Sequence, residues 1–296
     1  MNDIDLSNIN ITIVGLGLIG GSFAKSIREN INLKNLWAID VDENVLSTAE
    51  KLKIIDKGFI NPKFPLQNSD IIILCIYPNL TIKFIKDNIN DFKQNAIITD
   101  TSGIKHKIVQ EVNSFIRDDL DFIGGHPMAG KEVNGFSNSN DNIFYNAQYI
   151  LTPSKRSNLT NINILKVLLS ELKFEAVTEL TPESHDHIIA YTSHLPHIIA
   201  CALVNNVANN TCSCIGGSFK DATRVANINA SLWSELLIEN KDAVLEEVDK
   251  FIGDINNIYK LIESNEQEYL RLYLEKICEK RKMMKVWSSE NKPFTT

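Results

Sequence analysis

The sequence predicts an α/β doubly wound domain over residues 1–180, followed by an all-helical domain over residues 181–296. Three observations carry this reading. Short apolar runs alternate with segments of helical spacing through the first 180 residues, the pattern of a parallel sheet covered by helices on both faces. A glycine-rich turn stands between the first apolar run and the first helix, where such folds place it. From Pro182 onward nearly every apolar position recurs at helical spacing.

The expected strands are 11–14, 36–39, 71–76, 96–99, 122–123 and 148–151, with 174–178 as the last. Helical spacing lies between them, as in 19–28 and 104–115. The boundary falls near Leu180, because Thr181 can N-cap a helix whose first turn tolerates Pro182. Leu245, Val248, Phe251, Ile252, Ile255, Tyr259 and Ile262 form one apolar face. A further helix covers about 266–284, and its basic run over 276–285 reads as a solvated face rather than a nucleic-acid patch.

Composition bounds the function. The chain has 296 residues, enough for two ordinary domains, with 44% hydrophobic and 23% charged residues, values of a chain with packed cores. A net charge of −7 gives no global pull toward nucleic acid or anionic membrane. The opening MNDIDLSNIN lacks the basic start and apolar run of a signal peptide, and no apolar stretch is expected to span a bilayer. Five cysteines, an odd number without a CxxC pair, read as free thiols in a reducing compartment, so a cytoplasmic location is expected. Cys212 and Cys214 are too close for a zinc half-site, and no metal is expected.

The cofactor end is Ile11-Thr-Ile-Val-Gly15-Leu-Gly17-Leu-Ile-Gly20. Gly15 permits the tight turn, Gly17 lets a pyrophosphate approach, and Gly20 allows close helix–strand packing. The helix start at Leu18 and Ile19 then turns free N–H groups and a positive dipole toward phosphates. This is the Rossmann-type fingerprint. Asp40 ends the next strand, where an acid accepts hydrogen bonds from ribose hydroxyls and repels a 2′-phosphate, favouring NAD over NADP. Asp42 beside it is a good helix cap.

Two histidine-bearing segments stand at the chemical end. His126 follows Gly124 and Gly125 at the carboxyl end of a strand, the edge at which doubly wound sheets bind ligands. His187, His194 and His197 can share one side of the first helix of the second domain, and Pro196 removes a helical hydrogen bond there. Their spacing is not the i, i+4 pair of helical zinc sites. In a third segment, Arg224 is a candidate clamp for a carboxylate, with Asp221 able to orient it or a nearby histidine.

Together the segments GLGLIGGS, TDTSGIK at 99–105, GGHPMAG at 124–130, SHLPH at 193–197 and FKDATR at 219–224, with Trp233, resemble the prephenate dehydrogenase family, which includes arogenate dehydrogenases. The resemblance runs from Ile11 to about Asn240, and more loosely into the family's helical dimerisation domain. It implies His126 as the catalytic histidine at the substrate's ring hydroxyl and Arg224 as the arginine on a substrate carboxylate. It places His194 and His197 along the pocket with Trp233, and Glu132 at its entrance. Many members carry Ser or Thr where this chain has Gly103; Ser102 is the neighbouring hydroxyl able to substitute. The implied activity is NAD-dependent oxidative decarboxylation of prephenate by a homodimer. Arogenate oxidation and a non-catalytic NAD-sensing module remain alternatives at this point. A hydroxyacid-dehydrogenase type would need a catalytic lysine in the helical domain, where histidines and an arginine are conspicuous instead. No fused regulatory domain is expected, so feedback by tyrosine would act at or near the active site.

Overall fold

The structure, a computed structural model, describes residues 4–207 and 215–290. Cys212 and Cys214, read above as too close for a zinc half-site, lie outside the described residues.

Eight strands form one sheet: β1 (Asn10–Val14), β2 (Asn35–Ile39), β3 (Lys57–Phe59), β4 (Ile71–Leu74), β5 (Ile97–Asp100), β6 (Asp121–Pro127), β7 (Gln148–Thr152) and β8 (Ala176–Glu179). Their order is β3-β2-β1-β4-β5-β6-β7-β8. The reversal of order between β1 and β4 opens the crevice in which such sheets bind dinucleotides. Helices α1 (Leu18–Asn30), α2 (Glu43–Lys51), α3 (Lys63–Asn68), α4 (Pro78–Asp87), α5 (His106–Phe115) and α6 (Leu159–Glu171) alternate with the strands. Side chains alternate between two cores. Ile71 and Ile73 enter one cluster, with Phe23 and Ile27 of α1, while Ile72 and Leu74 enter the other, with Ile108 and Val112 of α5. Both faces are covered, which is why the central strands read as continuous apolar runs.

Two features depart from the expected sheet. β3 was not anticipated, because Lys-Gly-Phe is too short and polar to stand out; it is an edge strand beside β2. β7 runs antiparallel to β6. A parallel return needs a crossover, usually a helix. Between β6 and β7 there is only the short 3-10 turn Phe136–Asn138, so the chain comes back down the sheet. β8 pairs parallel with β7 after α6.

The helical part opens with α7 (Pro182–Ile189), where Thr181 accepts a hydrogen bond from the Ser184 N–H at 3.1 Å. A π-helical turn, Ala190–His194, joins it to α8 (Leu195–Asn205). The Leu195 N–H bonds five residues back to the Ala190 carbonyl. Pro196 next to it has no N–H to give, a known cause of a widened turn. The run Pro182–Asn205 is long and apolar enough to cross a membrane by length and composition, which corrects the expectation that no such stretch exists. Its buried side chains include His185, Asp186 and His194. α9 (Gly217–Thr223), a 3-10 turn (Arg224–Ala226) and α10 (Ala230–Glu239) follow.

Contacts divide the chain into two compact units, Met1–Lys241 and Asp242–Thr296. Helix α11 (Lys241–Glu263) enters the second unit, which also holds α12 (Gln267–Glu290). Leu245, Ile252, Ile255, Tyr259 and Ile262 are exposed along α11.

Candidate active site

The cofactor end is built from backbone. Gly15 has φ +88°, a conformation that favours glycine, and a Cβ there would lie 2.7 Å from the Cys75 carbonyl oxygen. A Cβ on Gly20 would lie 1.8 Å from the Gly15 carbonyl oxygen, so only glycine lets α1 sit so close to the turn. Gly17 differs: a Cβ there meets nothing within 4 Å. The turn is tight on its inner side and open where a pyrophosphate would lie. Gly17 N-caps α1 without a side-chain bond, leaving the N–H groups of Leu18, Ile19 and Gly20 for a ligand. Asp40 is pinned at the end of β2: its carboxylate accepts the Leu16 N–H at 2.6 Å and the Asp42 N–H at 2.9 Å. Asp42 caps α2 through the Asn44 N–H. These residues fit a dinucleotide, and the carboxylate fits ribose hydroxyls.

The chemical end is built from side chains. His126 sits near the end of β6, partly buried. Its Nδ1 is 2.9 Å from Nε2 of His185, whose own Nδ1 is 2.7 Å from Asp186 Oδ1. Asp186 also accepts the backbone N–H of Lys105 at 2.8 Å and of His106 at 2.9 Å, where α5 begins. Beneath His126 lies a fully buried ion pair, Lys105–Asp100. It clasps Gly125 by both backbone groups. The Lys105 ammonium donates to the Gly125 carbonyl at 2.7 Å, and the Gly125 N–H donates to Asp100 at 3.1 Å. β5 and β6 pair only as far as Thr99 and Ile123, so these side chains continue the sheet's job up to the histidine.

His194 is buried, with Asn240 3.3 Å from its Nδ1; the same amide bonds the Asp186 carbonyl at 2.8 Å. His197 stacks on Trp233 with ring centroids 3.8 Å apart and bonds the Ser193 carbonyl at 2.8 Å. Trp233 also meets His194 edge-on at 5.8 Å. Glu132 and Arg224 are hydrogen-bonded to each other, and the charges of both reach His197. Ring contacts tie His194 and His197 to Trp233, and electrostatic couplings reach from His194 to His126 and from His197 to Glu132 and Arg224, grouping these residues as one wall of the site.

Burial sets the electrostatics. It pushes His126 well below the ordinary histidine value of 6.5, and any charge on His185, the Lys105 ammonium and any charge on His194 would oppose a further positive charge there. His194 is lowered to about 4, again chiefly by burial. His185 is lowered by burial against the opposing pull of Asp186, and His197 by burial against its bond to Ser193.

Three sequence expectations change. His187 is exposed and off the wall; His185, two residues earlier, is the inward residue. The π-helical turn shifts the register that ideal helix spacing assumed. Ser102 is buried, and its hydroxyl makes no hydrogen bond to His126 or to any other of the described residues. The ring partner of His126 is His185 instead. Asp221 is exposed and has no bond to Arg224; Glu132 takes that place. Sequence reasoning missed Asp100, Lys105, Asp186 and Asn240 as well. The adjacent His185-Asp186 pair was the one visible signal, and nothing in its spacing ties it to a residue 59 positions away.

Comparison with known proteins decides the family. Residues 23–178 match the model for the prephenate dehydrogenase nucleotide-binding domain, and residues 181–276 match that for the prephenate dehydrogenase dimerization domain. The chain belongs to the prephenate dehydrogenase family. It is 31% identical over 272 residues to prephenate dehydrogenase of Bacillus subtilis (strain 168), covering 90% of this chain and 73% of that one. The crystal structure of prephenate dehydrogenase from Aquifex aeolicus, in complex with hydroxyphenyl propionate and NAD+, superposes with a TM-score of 0.87 at 30% identity, covering 95% of this chain and all 100% of that one. A Synechocystis arogenate dehydrogenase superposes with a TM-score of 0.81 at 26% identity, covering 93% of this chain and 100% of that one. Members of the family are NAD-dependent oxidoreductases, and the chain is an enzyme of that class.

Proposed function

We propose that this chain oxidatively decarboxylates prephenate to 4-hydroxyphenylpyruvate and carbon dioxide with NAD, using His126 as its base and Arg224 as its carboxylate anchor. The observation that carries this reading is the wall itself. It offers one imidazole kept neutral by burial at the carboxyl end of β6, and a guanidinium farther along the same surface. Bound NAD supplies the hydride acceptor, held by Gly15, Gly17, Gly20, Leu18 and Ile19 at the pyrophosphate and Asp40 at the ribose.

The chain's own residues supply the rest. His126 takes the proton of the ring hydroxyl as the carbon beneath it loses hydride. Loss of carbon dioxide from the opposite ring carbon sends an electron pair through the ring to that oxygen, and His126 returns the proton. No net proton is consumed. A positioned base of this kind contributes about a hundred- to ten-thousand-fold. Arg224 exchanges its Glu132 partner for a substrate carboxylate, and the stacked His197–Trp233 pair gives the ring a flat neighbour. His194, buried beside Trp233, shapes the pocket floor, and Ser102 lies in the loop behind Gly103.

Prephenate is favoured over arogenate by the higher identity to prephenate dehydrogenases and by the NAD-type acid at Asp40. The dimerization-domain match and the exposed apolar face of α11 support a homodimer formed through the helical segment, with a functional boundary between residues 180 and 181. A cytoplasmic place agrees with free thiols at Cys75, Cys201 and Cys278. Steady-state rates with prephenate and arogenate, each with NAD and NADP, test the reading. The highest kcat/KM belongs to prephenate with NAD; no NADH from prephenate overturns it.

A further inference from the structure

We infer that His185 and Asp186 form a relay behind His126, fixing the tautomer of its imidazole and sharing the proton it takes up. The inference rests on the reading of His126 as base, but concerns residues that touch neither substrate nor cofactor; they are positioning residues.

The argument is one of donors and acceptors. An ionised carboxylate can only accept. Asp186 accepts two backbone N–H groups at the start of α5, where the helix dipole also favours negative charge. Its contact with His185 Nδ1 at 2.7 Å therefore requires a proton on that nitrogen. A neutral His185 then has a bare Nε2, which can only accept. Burial keeps His185 on the neutral side. The 2.9 Å contact to His126 is accordingly donated by His126 Nδ1. The lone pair of neutral His126 is left on Nε2, the ring nitrogen with no partner among the described residues. This is the reverse of the tautomer that neutral histidine favours in water.

The same chain carries charge. When the ring hydroxyl gives its proton to His126 Nε2, the proton on Nδ1 moves toward Nε2 of His185, and the positive charge comes to lie against Asp186. The shift reverses when His126 returns the proton to the product oxygen, so atoms and charge balance without a further reactant. Without the relay, an imidazolium at His126 would face the Lys105 ammonium and His194 in a buried place with no anion in contact. Asp100 already holds Lys105, which leaves Asp186 as the anion on the histidine side. His185 itself faces Lys105, Asp100 and Asp186.

The first test reads the tautomer in the unsubstituted protein. Selective 15N labelling of histidine in the full-length protein, with His126→Asn to assign the signal, reads the tautomer near pH 8. Neutral His126 is expected as the Nδ1–H form; an Nε2–H form overturns the inference. The second test replaces the relay. His185→Phe, which keeps an apolar ring in the buried place, is expected to lower kcat about 10- to 100-fold with the prephenate KM little changed. Its acidic limb in the pH profile of kcat/KM should move to lower pH, because the protonated base has lost its support. His185→Gln retains an acceptor toward His126 but cannot carry a proton, and should fall between wild type and His185→Phe. A kcat within twofold of wild type, or an acidic limb that stays or rises, overturns the relay. His126→Asn separates the two readings: if it is inactive while His185→Phe is normal, the base stands and the relay fails.

Discussion

The two ends of the site are made in opposite ways. The cofactor end is a strand, a turn and a helix start within eleven residues, plus one acid on the next strand, and its working groups are mostly backbone N–H. The chemical end joins β5, β6, α5, α7, α8 and α10; its histidines are buried or partly buried side chains held by other side chains, and Arg224 lies exposed at its outer end. Backbone geometry can be specified locally by glycines. A buried imidazole cannot be placed locally, because each polar atom it brings inside must find a partner. The difference teaches that substitutions at the chemical end should propagate, while those at the cofactor end should stay put.

The largest expected effect tests the chemical end directly. His126→Asn should lower kcat by about a hundred- to ten-thousand-fold while prephenate still binds, as read by steady-state kinetics and by prephenate quenching of tryptophan fluorescence. Normal turnover would remove the base from the scheme. Lys105→Met should be nearly as costly, but to the fold: breaking a buried pair and stranding Asp100 costs about 3–5 kcal/mol in denaturant unfolding. A loss below about 1 kcal/mol would show that the clasp on Gly125 is dispensable. At the other end, Asp40→Asn should raise the KM for NAD about 10- to 100-fold, improve use of NADP, and cost about 1–3 kcal/mol in denaturant unfolding, because the amide can keep only one of the two backbone N–H bonds.

Acid should find the chemical end first. His194 is held near 4 when folded against 6.5 ordinarily. Below pH 6.5 the unfolded chain takes up a proton that the folded chain refuses, so stability falls as pH drops toward 4. His126, lowered for the same reason, adds in the same direction. Melting curves between pH 7 and pH 5 should show the decline, and His194→Gln should flatten it. The smallest effect is expected at Gly103→Ser. A Cβ there lies 3.9 Å from His126 Cε1 and 3.3 Å from Leu236 Cδ2, a flexible neighbour. The added hydroxyl should change kcat by less than about tenfold, the worth of one ordinary hydrogen bond.

Much of this was legible before the structure. The central strands announced themselves because both faces are buried, and Thr181 and Pro182 marked the first helix of the second segment to the residue. Gly15, Gly17, Gly20 and Asp40 could be assigned because their geometry depends on near neighbours. His126 and Arg224 stood out through the company of their motifs. His187 misled because uniform helical spacing was assumed from 187 to 194, and the π-helical turn Ala190–His194 breaks it. β7 reversed direction because the segment before it lacks a crossover helix, an absence that strand patterning does not register.

The sequence by itself determined the sheet, the glycine turn and the residue types available for chemistry, since backbone conformation and apolar periodicity are set over a few residues. Only the tertiary structure decided which nitrogen of His126 is free, who holds Asp186, and that Lys105 serves Gly125 rather than a ligand. Those outcomes depend on satisfying every buried donor and acceptor at once, among residues up to 81 positions apart, and no stretch of chain contains that sum.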